Sequence, residues 1–358
     1  MSTFYPLTIT TVKNETRGAI AVTLQVPPEL KEKFRFVQGQ HLTVRAYIGG
    51  EEIRRSYSVC CGVQDESLRI GIKQAEGGLF SNWAMANLKP GCLLDVMPPL
   101  GQFHVPLSPE NRKHYLAFAA GSGITPVLSI IKTTLAVEPH SKFTLFYGNR
   151  ASSTVMFRDD LAELKDAYLD RFTLMHVLSR EPQDLELLSG RITGEKCRQL
   201  LEHWCPIEDV DVVFLCGPQA MMDEVSAALE ALGLPKSQIK TELFTVPGAR
   251  PKIATRTVEA PGSQKCEVTL VIDGHRHVFP LEQGKETILE AAIRHGIEVR
   301  YSCRSGVCTT CRAKLVRGQV DMDANYALED YEIARGFILT CQSYPATDSV
   351  TVDFDQDN

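Results

Sequence analysis

Four cysteines near the end of the sequence limit what this chain can fold into more than any other feature. Cys303, Cys308 and Cys311 form a C-x4-C-x2-C run, and Cys341 follows after residues 312–340. Thiolates suit iron–sulfur chemistry, four of them hold a [2Fe–2S] unit, and this spacing matches the plant-type cluster pattern. The intervening residues Arg304, Ser305, Gly306, Val307, Thr309 and Thr310 are mostly small. Small residues let backbone N–H groups turn toward the sulfurs. A structural zinc site also takes four cysteines. Zinc ribbons, however, pair two C-x2-C knuckles, and here only Cys308 and Cys311 are so spaced.

The other cysteines sharpen this reading. The sequence holds 11 in 358 residues, an odd count. Its first residues, MSTFYPLTITTVKNETRG, lack the basic-then-apolar layout of a secretion signal. A disulfide framework is therefore not expected, and metal or redox chemistry is. Most of Cys60, Cys61, Cys92, Cys197, Cys205 and Cys266 read as small buried hydrophobes. No apolar run approaches the roughly 18 residues that span a bilayer, so no membrane partner and a cytoplasmic location are expected. Formal charge is -6 with no long basic cluster, which argues against nucleic acid as a partner.

Length suggests two or three domains, and the pattern divides accordingly. Residues 1–110 carry short alternating segments (Leu7–Val12, Ala19–Val26, His41–Ala46, Arg55–Cys60, Leu68–Lys73) and one helical stretch, Phe80–Leu88. That spacing predicts an antiparallel β-barrel. Residues 111–245 alternate buried apolar runs (Tyr115–Ala120, Phe143–Tyr147, Phe172–Leu178, Val210–Cys216) with helical periodicity (Pro126–Val137, Phe157–Tyr168, Gly194–His203, Ala220–Leu232). That predicts an α/β domain with a parallel sheet. Residues 246–263, rich in proline and glycine, read as an extended linker. Residues 264–358 open with a hairpin around Asp273-Gly274, continue into a helix over Thr287–His295 that stops at Gly296, and close on the strand Ser349–Phe354.

Two junctions in the second block suit a nucleotide. Gly121-Ser-Gly-Ile-Thr-Pro126 follows a strand and opens a helix, where glycines allow close backbone approach and the helix start favours phosphate. Pro126 is expected at the first helical position. Cys216-Gly217-Pro218 ends another strand, so both junctions would fall at the carboxyl edge of one sheet. In the first block, Arg55-Ser56-Tyr57-Ser58 offers a phosphate partner, a stacking ring and a hydroxyl. Gly77-Gly78-Leu79-Phe80-Ser81 leads into the helix as a second phosphate seat. Taken singly, each is also an ordinary strand or helix cap.

In this order, R-x-Y-S, G-G-x-F-S, G-S-G-I-T-P and C-G-P resemble the ferredoxin–NADP reductase family over essentially the whole chain. The appended ferredoxin module narrows this to the oxygenase-reductase branch. GQHLTV, LAFAAGSGITP, FTLFYGNR, CGPQAMMDE and TVDFD resemble the reductase subunits of bacterial di-iron epoxidases that act on aromatic acyl-CoA thioesters. The resemblance implies an α+β β-grasp fold for the last domain. It implies FAD held by Arg55, Tyr57 and Ser58, with Gly78, Phe80 and Ser81 at its pyrophosphate. It places Gly121, Gly123, Thr125, Gly217 and Pro218 at the nicotinamide nucleotide, and Cys216 beside its ring. Phe244, in Glu242-Leu243-Phe244, would border the flavin. Ser58, Cys216 and Phe244 are thus the expected catalytic residues.

Ser179-Arg180 resembles the family's clamp for a 2′-phosphate, with Arg150 and Arg158 as further candidates. No acidic residue stands at 179 or 180 to favour NADH, so NADPH is the expected donor. The resemblance implies that a hydride from NADPH reaches FAD and that single electrons leave through the cluster to di-iron oxygenase subunits. No E-x-x-H pair set is present for a di-iron site in this chain. Two other readings stay open: a related reductase serving a different hydroxylase or acceptor, and a non-catalytic electron-carrier and docking protein. The linker is expected to let the cluster swing between flavin and partner.

Overall fold

The structure, a computed structural model, describes residues 4–244 and 265–356; the expected linker, residues 246–263, lies outside the described residues. Two compact units are formed. One comprises Tyr5–Ile53 and Tyr57–Phe244, and the other is built around residues 265–356.

The first part of the larger unit is antiparallel. Strands β1 (Tyr5–Thr16), β2 (Ala19–Gln25), β3 (His41–Ile48), β4 (Glu51–Ser58), β5 (Leu68–Lys73) and, after helix α1 (Leu79–Asn87), β6 (Leu93–Val96) make a sheet ordered β4-β3-β6-β1-β2-β5. A bridge between Val59 and Ile70 joins the two edges and closes the barrel. Leu7, Ile9, Val22, Leu42, Val44, Ile70 and Ile72 fill its interior, all at 3% exposure or less. Alternation along β1 is broken by register shifts between Ile9 and Thr11 and between Asn14 and Thr16. Such bulges bend a long strand around a barrel.

The second part winds β7 (His114–Ala120), α2 (Ile124–Val137), β8 (Lys142–Asn149), α3 (Arg158–Ala167), β9 (Phe172–Leu178), α4 (Gly194–Trp204), β10 (Val212–Cys216), α5 (Gln219–Ala231) and β11 (Ile239–Glu242). All strand pairs are parallel, in the order β11-β10-β7-β8-β9. Helix α2 starts two residues ahead of Pro126, whose missing N–H costs nothing within a first turn. The interface to the barrel is polar as well as apolar. Arg69 of β5 pairs with Asp160 of α3 at 2.5 Å, and its guanidinium lies 5.2 Å from the Phe157 ring.

The smaller unit is α+β. It contains β12 (Lys265–Ile272), β13 (His275–Glu282), α6 (Ile288–Arg294), β14 (Arg312–Arg317), β15 (Val320–Met322), α7 (Asp330–Ala334), β16 (Phe337–Leu339), β17 (Ser343–Pro345) and β18 (Ser349–Asp353). Its main sheet runs β13-β12-β18-β14-β16, with β12 and β18 parallel. The hairpin turn has φ 50° at Asp273 and 74° at Gly274, the left-handed pair a type I′ turn requires. Asp355 accepts both turn N–H groups at 2.7 and 2.8 Å. Thr287 and Glu290 form a capping box at the start of α6, and Gly296 at φ 73° ends it.

Candidate functional site

The parallel sheet changes winding direction at β7: β8 and β9 lie to one side, β10 and β11 to the other. The loops after β7 and β10 therefore diverge and leave a crevice at their carboxyl ends, where ligands bind in such sheets. Cys216 pairs in register with Ala119, so the two glycine-bearing junctions lie side by side. Gly121 sits at φ 55°, and its carbonyl accepts from Tyr147 Oη at 2.9 Å. Gly123 answers a different need, because a Cβ there would collide with the carbonyl oxygen of Cys216. Thr125 is buried and donates to the Ser122 carbonyl at 3.0 Å, tightening the start of α2.

On the other side of β10, Cys216 is in register with Glu242 of β11. Burial pushes the Cys216 thiol well above its ordinary value, and the neighbouring Glu242 adds to the shift. A thiol so held is a packing and positioning group rather than a nucleophile. Ser58, the last residue of β4, is buried and donates to Glu242 Oε2 at 3.1 Å. Burial pushes the Glu242 carboxyl up to about 8, against the smaller lowering effect of the Ser58 hydrogen bond. The barrel and the nucleotide sheet thus bring Ser58, Cys216 and Glu242 together. Sequence reasoning passed over Glu242, naming its segment only for Phe244. Phe244 itself is partly buried against the core that contains Cys216.

Arg55 is exposed on β4, with its guanidinium donating to the Arg54 carbonyl at 2.7 Å. The Tyr57 ring lies 5.7 Å from that of Phe80, which is a fully buried core residue. The Ser81 hydroxyl accepts from Ala75 N at 3.1 Å and donates to Gly78 O at 3.4 Å, so it braces the turn ahead of α1. Helix α1 has no side-chain cap at Gly78. Its first N–H groups remain available to a phosphate, which fits the pyrophosphate of a flavin dinucleotide.

Cations gather on the opposite side of Gly121. Lys73 ends β5, and a Cβ on Gly121 would lie 2.8 Å from its ammonium. Burial lowers the Lys73 pKa, and nearby Arg150 lowers it further. Beyond the strand ends, Ser179 N donates to Asn149 O at 2.9 Å and Arg180 N to Arg150 O at 2.7 Å. This extends the β8–β9 pairing and sets Arg150, Ser179 and Arg180 close together. Arg158 opens α3, and its charge contributes to the lowered pKa of His176. Lys73 was not foreseen; its signal was a lone lysine at a strand end, with nothing local to distinguish it. Glu181 accepts from Ser152 N and Oγ at 2.8 and 3.0 Å, so the nearby carboxylate is engaged.

In the smaller unit, Cys303 is partly exposed, and Cys308, Cys311 and Cys341 are buried. The loop curls through left-handed positions at Arg304 (φ 54°) and Gly306 (φ 75°). Hydrogen bonds from Cys308 and Cys341 hold the Cys303 thiol well below its ordinary value. Cys308 is pushed up, chiefly by its bond to Cys303, and Cys341 by its bonds to Cys303 and Cys311. Ser305 N donates to Cys303 Sγ at 3.4 Å and Gln342 Nε2 to Cys341 Sγ at 3.7 Å. The linkage of Cys303 to Cys308 and Cys341, and of Cys341 to Cys311, with N–H donors on two of the sulfurs, gives surroundings that suit an iron–sulfur group, although among the described residues no three such side chains stand in metal-holding geometry. Gln342 also donates to Arg304 O at 3.1 Å, which fastens the far ligand's segment to the loop.

Together these parts define an electron-transfer oxidoreductase that binds flavin and pyridine nucleotide and carries an iron–sulfur module. Three domain families match: an oxidoreductase FAD-binding domain over residues 6–105, an oxidoreductase NAD-binding domain over 118–227, and a 2Fe-2S iron-sulfur cluster binding domain over 270–346. The chain is 46% identical to one of the subunits of 1,2-phenylacetyl-CoA epoxidase from Escherichia coli K12, covering 99% of both chains. It is 32% identical to the ferredoxin reductase component of 3-ketosteroid-9-alpha-monooxygenase from Rhodococcus rhodochrous, over 97% of this chain and 96% of that one. Phthalate dioxygenase reductase, a modular structure for electron transfer from pyridine nucleotides to [2Fe-2S], shares the fold at TM-score 0.58 and 23% identity, covering 98% of each chain. The chain belongs to the ferredoxin–NADP reductase family, in the form that carries a C-terminal ferredoxin domain. It is an NAD(P)H-dependent oxidoreductase of the kind that serves as the reductase component of oxygenases. Among the described residues, no helix is long and apolar enough to cross a membrane.

Proposed function

We propose that this chain uses NADPH to supply electrons to the di-iron oxygenase subunits of a phenylacetyl-CoA epoxidase in the cytoplasm, during phenylacetate catabolism. The observation that carries the reductase chemistry is the Ser58–Glu242 hydrogen bond at 3.1 Å beside Cys216, at the switch point of the parallel sheet. Support for the acceptor comes from the full-length identity with the Escherichia coli epoxidase component. The proposed divisions are residues 1–110 for the flavin, 111–245 for the dinucleotide, 246–263 as linker and 264–358 for the cluster.

When bound, flavin and cluster together turn the two electrons of a hydride into single electrons. The protein's part is binding, orientation and proton handling. Arg55, Tyr57 and Ser58 would hold FAD, with its pyrophosphate at the uncapped start of α1 by Gly78, Phe80 and Ser81. Gly121, Gly123 and Thr125 would admit the dinucleotide backbone, with Gly217 and Pro218 opposite, and Phe244 would close the flavin side. Lys73 and Arg150 add positive charge beside Gly121. Arg150, Arg158, Ser179 and Arg180 would receive a 2′-phosphate, which favours NADPH. Cys216, kept as a thiol, positions the nicotinamide without competing as a nucleophile. Glu242 near 8 is mostly protonated at neutral pH and meets Ser58 Oγ, so a proton can be held or passed at that hydroxyl. Cys303, Cys308, Cys311 and Cys341 would hold the cluster.

The test is a reconstituted assay with purified oxygenase subunits and phenylacetyl-CoA. The expected result is epoxide formed at the expense of NADPH, with a kcat/KM for NADPH at least about tenfold above that for NADH, the gap one charge-assisted phosphate contact supplies. NADPH consumption without product would defeat the acceptor assignment. Equal use of both nucleotides would defeat the 2′-phosphate assignment. The identity with the Rhodococcus component keeps a different oxygenase as the second reading, and product formed with that partner alone would establish it.

A further inference from the structure

One buried charge pair in the smaller unit is left over once the four cysteines are accounted for. Arg312 directly follows Cys311, and its Nε lies 2.8 Å from Glu332 Oε1, with the two side chains 9% and 1% exposed. The Arg312 guanidinium also lies 3.5 Å from the centre of the Phe337 ring. Glu332 is fixed from its other oxygen, which accepts from Glu329 N at 3.0 Å as half of the capping box of α7. Arg312 is tied at its own backbone: its N–H donates to Thr309 O at 3.0 Å, and it pairs with Leu339 across β14 and β16. Next to it, the Cys311 carbonyl accepts from both Thr340 N at 3.2 Å and Thr340 Oγ1 at 3.0 Å. The pair is therefore anchored one residue along the chain from Cys311, whose carbonyl is itself tied to Thr340, the neighbour of Cys341.

Stability does not explain such a pair, since a buried ion pair is commonly no more stable than apolar side chains of similar volume. Buried charge does, however, act strongly on a neighbouring redox group, because local charge and outer hydrogen bonds set iron–sulfur potentials. We propose that the Arg312–Glu332 pair is a positioning and tuning device for the group held by Cys311, with the carboxylate offsetting the cation that directly follows that ligand in the chain so that the reduction potential stays low. This inference rests on the reading of Cys303, Cys308, Cys311 and Cys341 as cluster ligands.

The test compares the full-length holoprotein with Glu332→Gln, Arg312→Met and the double variant, by spectroelectrochemical titration and by visible absorbance per mole of protein. Glutamine keeps an acceptor for the α7 cap. The expected result is a cluster midpoint shifted positive in Glu332→Gln, shifted negative in Arg312→Met and near the parent value in the double variant, with absorbance retained. Loaded single variants whose midpoints do not move, or move the same way, would overturn the proposal. Should a single variant lose its absorbance, recovery in the double variant supports the pairing, and a double variant that is also empty overturns it. A colourless parent would instead overturn the four-cysteine reading, and the inference with it.

Discussion

Glu242 carries the most testable chemistry at the scale of one side chain. In the folded chain it keeps its proton up to about pH 8, whereas an unfolded chain releases it near the ordinary 4.5. Between those values the folded state binds more protons, so Glu242 makes stability fall as pH rises. Glu242→Gln removes that fall. In the flavin-free protein, the melting temperature of the variant relative to the parent should climb from about pH 4.5 to about pH 8 and level off beyond; a difference independent of pH would show that burial does not shift the group. Lys73→Ala should weaken dinucleotide binding about tenfold, as loss of one charge-assisted contact does, and flatten its salt dependence. Titration calorimetry at two ionic strengths would check this. Residues of this kind were the least legible from sequence. Ser58 and Cys216 sit in recognisable short motifs, but Glu242, Lys73, Gln342 and Glu332 acquire their roles from partners far away in the chain, such as Ser58 lying 184 residues from Glu242.

At the scale of elements, the junction after β7 is the point of least tolerance. Gly123→Ala would set a methyl group against the Cys216 carbonyl, and overpacking of this sort costs about 1–3 kcal/mol. Chemical denaturation should show that loss, along with weaker NADPH binding, while cluster absorbance is unchanged; a fully stable variant that binds NADPH normally would refute the close approach. Legibility follows element length and burial. Leu68–Lys73 and Phe172–Leu178 have the bounds their apolar patterning suggests, and Ala19–Gln25 differs by one residue. By contrast β6, β11 and β14 to β17 were not foreseen. Several are three or four residues long, too short for a period to show, and α7 has only five residues. The bulges in β1 also hid how far that strand runs, because each one breaks the alternation.

For the molecule as a whole, the division into two compact units has a direct consequence. A chain ending at Phe244 should still bind flavin and oxidise NADPH with ferricyanide as acceptor, yet fail to drive an oxygenase; failure to bind flavin would show that the larger unit depends on the smaller. The first two parts were readable because each uses a different hydrophobic period, alternating in the barrel and continuous in the parallel strands. The β-grasp topology was not readable from period at all and was expected only from the family resemblance.

The parallel pairing of β12 with β18 has a consequence for biosynthesis. β18 stands in the middle of its sheet, between β12 and β14, yet it leaves the ribosome after every cysteine of the constellation has emerged. The sheet that supports these cysteines therefore cannot close until its last strand has been made, and it is joined from both of its ends. A released chain truncated ahead of Ser349 should acquire no cluster in an assembly reaction that loads the full-length protein.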